Sequence, residues 1–491
     1  MIGVHLLWPP GCPDSKTIFT DARSLTDIGI EMIIDAMADG DPDIASVAND
    51  LFIHAPTDST VIRWRQEVLI DALAHPQLIR DLDSIARHSA VLERRSSYAT
   101  RQQAPFSQLL RSRELLSLLI GDLEALAKRV REPDNDVSSK GLKLLIATIN
   151  DNFNDEYLQS LQAELQLLRF ENGMVTRATL GAGNLTSDEL IVESPFQGRG
   201  WRDRLHLVLG DDNRIEIAPR DQAGGETLRE LRNLALSQIG TIVAHGLGTV
   251  ISFFVTLHHE LAWLVGAINL RSQFEQLDLP ICMPEPAADG WHLGFHGLCE
   301  PTLGLRTRAR PITNNLALDD SSPIVLSGAN SGGKTTWLQS VALGILMMQT
   351  GLFVTADEFR ATIRTNLRTF FPDDEDRELQ HGRLDDELIR LAATITELQE
   401  DGLVLLNEPL TSTNEIEASE IATAVFRDLD KRGVTVIVVT HYPTLARELA
   451  TSGLSLEPEI LGDGVRSYRI EPSPPPKNSS AMDIYRRLGG W

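Results

Sequence analysis

A chain of 491 residues is too long for one ordinary hydrophobic core, so two or more domains are expected. Its hydrophobic fraction of 42% fits a globular protein, and its formal charge of −24 excludes the overall basic footprint of a dedicated DNA-binding module. The acidity is spread along the chain: residues 311–491 hold 16 Lys and Arg against 27 Asp and Glu, although Arg306, Arg308 and Arg310 could form a local basic patch.

Cys12, Cys282 and Cys299 make neither a disulfide framework nor a zinc spacing, which points to a reducing, cytoplasmic setting. The N-terminus lacks the basic start and apolar run of a signal peptide. The first part of the chain reads as helices. Over 107–130, Leu109, Leu116, Leu123 and Val130 lie seven apart with Leu119 and Leu126 between them, a coiled-coil-like seam that starts at Pro105. Residues 139–170 continue the pattern through Leu142, Leu145, Ile149, Phe153, Leu158, Leu161, Leu165 and Leu168. Glycine then becomes frequent, and 171–226 is predicted as a small irregular insertion with β-like runs at Leu205–Leu209 and Ile215–Ile217. Helical pattern resumes over Thr227–Phe274. No Asp, Glu, Lys or Arg occurs from Asn233 to His259, a length that could span a bilayer. Gln238, His245, Gly246, Gly248 and Ser252 favour a buried helix of a helical domain instead, with no membrane partner.

Pro280, Pro284 and Pro286 punctuate the chain, which places a domain boundary near 286. Beyond it, apolar runs at Pro323–Ser327, Leu403–Leu406 and Val434–Thr440 alternate with helical stretches at Thr335–Met348, Ile416–Arg432 and Pro443–Ala450. Such alternation predicts an α/β domain with a largely parallel sheet. Pro472 and Pro474-Pro475-Pro476 mark an extended linker before a short helix at Ala481–Leu488. The fold class expected is therefore a mostly α N-terminal region, 1–286, and an α/β domain with a largely parallel sheet, 287–491.

Three segments carry chemistry. Gly328-Ala329-Asn330-Ser331-Gly332-Gly333-Lys334-Thr335, followed by Thr336, fits G-x-x-x-x-G-K-[ST] between a strand and a helix. Its glycines let backbone N–H groups face phosphate oxygens, and the helix N-terminus adds a favourable dipole. Lys334 is placed to bridge the β- and γ-phosphates of ATP, and the Thr335 hydroxyl to bind Mg²⁺. Of seven lysines in the chain, Lys334 alone lies between Lys143 and Lys431, so this position selects a compact ammonium against an arginine background. Leu403–Leu406 ends in Asn407-Glu408, where P-loop proteins place metal-helping and water-orienting groups. Glu408 is the candidate base, and Asn407 brings an amide where an acid is usual. His441, after the third run, is placed to reach the γ-phosphate or the attacking water.

Together these residues resemble the MutS family of mismatch-repair ATPases, within the wider ABC-type class. GANSGGKTT is similar to that family's phosphate loop and LLNEPLTSTNEIEASEIA to its metal strand and Thr-Ser-Thr signature, at Thr411, Ser412 and Thr413. Thr440-His441-Tyr442 resembles its switch-histidine segment. His381-Gly382-Arg383 falls where the family has a small loop, and Pro311-Ile312-Thr313-Asn314 where it contacts the adenine base. Ile62-Arg63-Trp64-Arg65-Gln66 resembles part of its helical core. The resemblance implies a homodimer with two composite ATP sites, each completed by Ser412 and Thr413 of the partner; those residues read equally as a helix N-cap. It also implies departures: no Phe-x-Glu wedge occurs, the 171–226 insertion is short for a DNA clamp, and the expected form lacks the mismatch-reading domain. Two functions stay open, a DNA-associated ATPase and a slow, nucleotide-gated scaffold for a protein partner.

Overall fold

The computed structural model describes residues 3–12, 19–97, 105–133, 136–168, 175–180, 186–193, 222–287, 290–318, 323–328, 332–372, 382–461 and 466–475. The expected strands at 205–209 and 215–217 and the helix at 481–488 lie outside these residues. Two compact units result: Met1–Val4, Gln77–Asp136 and Lys143–Leu261 form the first, and His5–Pro76, Val137–Leu142 and Ala262–Trp491 the second.

The first unit is helical. The leucine seam forms the helix Pro105–Val130, with Leu109, Leu116, Leu119, Leu123, Leu126 and Val130 all buried. The stretch read as continuous over 139–170 is two helices, Lys140–Asn152 and Asp155–Leu167. Asn154 breaks them: its extended backbone leaves the first helix while its side chain accepts from Tyr157 N at 2.8 Å to cap the second. A two-stranded antiparallel hairpin, Val175–Leu180 with Thr186–Glu193, stands within the predicted insertion.

The long helix Gln222–Gln276 contributes its residues up to Leu261 to the first unit and its last turns to the second. From Ile239 onward it is long and apolar enough to cross a membrane by length and composition. Glu260 to Ile268 are buried without interruption, but among the described side chains of 239–259 burial is confined to one stripe. Val243, Leu247, Phe254 and Leu257 recur at helical spacing on that stripe, while Ile242 remains 73% exposed. The reading as a buried helix is met over Glu260–Ile268, while residues 239–259 are buried along one side only.

The second unit contains the α/β fold. A six-stranded sheet runs in the order Arg466–Pro472, Leu454–Ile460, Ile324–Leu326, Thr435–Val439, Leu403–Asn407, Leu367–Phe370. All neighbours are parallel except the Arg466–Pro472 edge strand, which is antiparallel to its neighbour. The central strands are buried on both faces, as their unbroken Val, Ile and Leu runs require. Val404, Leu406, Val436 and Val438 point to one face, onto Leu391, Ala418, Ala422, Phe426 and Leu445 of the covering helices. The helix Lys334–Thr350 contacts the Leu403–Asn407 and Thr435–Val439 strands and is buried almost all round. A second, mixed sheet of Glu285–Ala287, Glu358–Thr362, Leu293–Leu298 and Asn314–Leu318 was not anticipated.

The early helices belong to this unit because they cover the Lys334–Thr350 helix. Pro42–Ile53 and Ser59–Ala74 both pack on it. Ser59–Ala74 carries the Ile62–Gln66 segment. Buried Arg65 donates from Nε to Leu7 O at 3.0 Å, and Gln66 Nε2 donates to Pro284 O at 2.8 Å. These bonds join residues 58 and 218 positions apart, so local periodicity gives no sign of them. Gly351, which ends the Lys334–Thr350 helix at φ +83, lies against the same Arg65: an added Cβ would stand 2.5 Å from the Arg65 Cβ. Gly351→Ala is expected to cost about 2–4 kcal/mol through left-handed strain and overpacking. Thermal melting checks it, and an unchanged midpoint contradicts this packing.

Candidate nucleotide-binding site

The parallel strands Ile324–Leu326, Thr435–Val439 and Leu403–Asn407 all end on one edge of the sheet, where open α/β sheets bind ligands. Two ladder bonds continue past them, Thr440 N to Leu326 O at 3.0 Å and Glu408 N to Val439 O at 2.8 Å. The described ends of the phosphate loop, Thr440-His441 and Asn407-Glu408 are thereby brought side by side.

Ala329, Asn330 and Ser331 of the loop lie outside the described residues, as does His381. On either side of the gap the loop has the expected frame. Gly333 takes φ +87 and is the N-cap of Lys334–Thr350, a left-handed turn that a side chain would oppose. This leaves the first N–H groups of the helix directed toward the loop. Lys334 is 5% exposed and donates from Nζ to Gly328 O at 2.8 Å, folding the loop back on the helix start. Burial pushes the Lys334 ammonium down from its ordinary pKa and Arg466 adds to this, while Glu408 opposes it. An anion in the loop would relieve that cost.

Thr335 Oγ1 donates to Asn407 Oδ1 at 3.2 Å, so the two oxygens assigned to Mg²⁺ already face each other. Glu408 sits in the left-handed region at φ +50, a strained backbone just past the end of the Leu403–Asn407 strand. Its Oε2 lies 3.5 Å from His441 Nδ1. The contact with His441 holds the Glu408 carboxyl below its usual range, against burial, with Lys334 assisting. Glu408 therefore stays ionised and can accept a proton or orient water.

A cavity of about 320 Å³ opens beside the loop, lined by Gly333, Thr336, Ile312, Asn314, Glu300 and Tyr468, among others. This joins Ile312, which is half exposed, to the phosphate loop in one site. Asn314 is buried, and its Oδ1 accepts from Ile470 N at 2.7 Å, strapping the edge hairpin in place. Tyr468, on that hairpin at φ +59, is a wall of the cavity that sequence reading missed. The Gly462-Asp463-Gly464 run is a hairpin signal, but nothing in it indicates what the second strand faces.

Ser412 and Thr413 precede the helix Glu415–Lys431, whose N-cap is Asn414, accepting from Ile416 N and Glu417 N, each at 3.1 Å. Capping thus falls to Asn414, and Thr413 Oγ1 bonds Glu417. The Tyr442 hydroxyl lies 3.2 Å from Thr413 O and 3.3 Å from Leu410 O. The switch segment is in this way tied to the Thr411–Thr413 segment of the same chain.

Comparison with known proteins agrees with this geometry. Residues 57–277 match the MutS2 N-terminal domain family, and residues 324–455 match MutS domain V. A protein named Endonuclease MutS2 from Streptococcus suis (strain 05ZYH33) is 31% identical over 186 residues, 37% of this chain and 24% of the relative. Proteins of the same name from Streptococcus equi subsp. equi (strain 4047) and Streptococcus pyogenes serotype M18 (strain MGAS8232) are 24% and 25% identical over 300 and 304 residues, 58% and 59% of this chain. The chain spans 24–38% of the length of these relatives. With a MutS2 N-terminal match over its helices and a domain V match over its sheet and phosphate loop, the chain belongs to the MutS family and carries that family's ATPase domain.

Proposed function

We propose that this protein binds and hydrolyses ATP, closes as a homodimer through its ATPase domains, and acts in association with DNA. The observation that carries the proposal is the convergence of Lys334, Thr335, Asn407, Glu408 and His441 at one sheet edge, beside a cavity sized for a nucleoside. Lys334 and the loop N–H groups bind the phosphates, Tyr468 and Ile312 flank the base, and Glu408 orients the attacking water with His441 beside it. Thr335 Oγ1, Asn407 Oδ1 and the Glu408 carboxylate form an oxygen set that suits Mg²⁺, which supplies charge neutralisation at the β- and γ-phosphates. Ser412 and Thr413 serve the nucleotide of the other subunit. The family tie to MutS, and relatives named Endonuclease MutS2, support the DNA association.

ATPase rates with and without duplex, branched and mismatched DNA test this function. DNA stimulation is expected, together with binding that weakens steeply with salt as phosphate contacts require. If no DNA form binds at low salt with ATP present, the DNA association is wrong. The second reading, a slow nucleotide-gated scaffold for a protein partner, is favoured by the neutral amide of Asn407 beside Thr335. Hydrogen bonds to a charged group exceed neutral ones by about 1 kcal/mol, so Asn407→Asp is expected to raise turnover several-fold. An unchanged rate shows that the missing charge does not limit hydrolysis.

A further inference from the structure

The Thr411–Ser412 segment is already holding an anion, and the anion is the protein's own. Glu387, on the helix Arg383–Thr396, places Oε1 3.2 Å from Thr411 N and Oε2 3.1 Å from Ser412 N. Two successive backbone N–H groups gripping one carboxylate form the nest that proteins use for phosphate oxygens. Glu387 is half-buried, on the side that a nucleotide on a second subunit would approach in the dimeric reading. The nest is tied to the switch segment through the Tyr442 hydroxyl at Thr413 O, and the Tyr442 ring lies 4.3 Å from that of His441.

From this arrangement we infer that Glu387 is an internal stand-in for a phosphate oxygen, occupying the Thr411–Ser412 nest until ATP on a partner subunit displaces it. The inference rests on the dimeric reading above and adds its regulation. Closure then requires Glu387 to withdraw, because a carboxylate and a phosphate oxygen cannot share two N–H donors and repel each other in the attempt. The resting protein is held open by this contact, and ATP must supply enough charge to replace it. A purely structural Glu387 would have the opposite effect: its removal would loosen the segment and weaken closure.

The two roles differ in sign. The test uses the full chain carrying Glu408→Gln, with ATP and Mg²⁺, and measures the dimer dissociation constant by sedimentation. Adding Glu387→Gln, which keeps the side chain's length and removes its charge, is expected to tighten the ATP-bound dimer about tenfold, within the range of ordinary couplings. Glu387→Ala should tighten it too, and with ADP neither variant should dimerise. If Glu408→Gln pairs with ATP and neither Glu387 variant pairs more tightly, the stand-in role is overturned while the dimer stands. If Glu408→Gln does not pair with ATP at all, the dimeric reading falls and this inference with it.

Discussion

Lys334→Ala is expected to lose ATP binding. Its ammonium is 5% exposed and donates to Gly328 O, so it is held at the loop before any ligand arrives. Truncating one partner of a buried, hydrogen-bonded charge pair costs about 2–5 kcal/mol, which weakens ATP at least about thirtyfold. Arginine should not rescue it, since the loop closes on a point charge where a planar guanidinium would need more room. Calorimetric titration with ATP measures the effect. Binding at the parental affinity in the alanine variant would remove this loop from the account.

Glu408→Gln has the second large effect, and on a different quantity. Its carboxylate lies 3.5 Å from His441 and is held in the ionised form by that contact. The amide keeps the shape and loses the basic oxygen, so turnover should fall by about 10²–10⁴ while ATP affinity is retained. His441→Ala should also lower turnover while leaving affinity intact, because its side chain lies against Glu408. Hydrolysis at the parental rate in Glu408→Gln would take Glu408 out of the mechanism. Measured together, Lys334→Ala and Glu408→Gln separate binding from chemistry.

What could be read from the sequence was whatever neighbouring residues decide. Ile324–Leu326, Leu403–Asn407 and Thr435–Val439 are short apolar runs, and each was placed within a residue or two of its observed span. The motifs at their ends followed, because in a parallel sheet the ends of adjacent strands must converge. Leu367–Phe370 escaped because Arg368 and Thr369 interrupt its apolar pattern. Arg368 is nevertheless buried, since it donates to Glu397 at 3.0 Å and to Phe19 O at 2.9 Å. The four-stranded sheet escaped for a related reason: Glu285–Ala287 is short and holds Pro286, and Leu293–Leu298 carries two glycines and a histidine. The joining of the early helices to the α/β unit escaped too, because Arg65 and Gln66 find their partners at Leu7 and Pro284, which no local pattern reveals. Tyr468 and Glu387 belong with these, being positioned by strand pairing and by helix packing far from the motifs they adjoin.

The central claim is that ATP at the Lys334 loop closes two copies of this chain. Sedimentation of the Glu408→Gln protein, with ATP and Mg²⁺ in one cell and ADP and Mg²⁺ in another, tests it most directly. Twice the chain mass of 54.2 kDa is expected with ATP and a single chain with ADP. A single chain in both cells, with ATP shown to be bound, would contradict it.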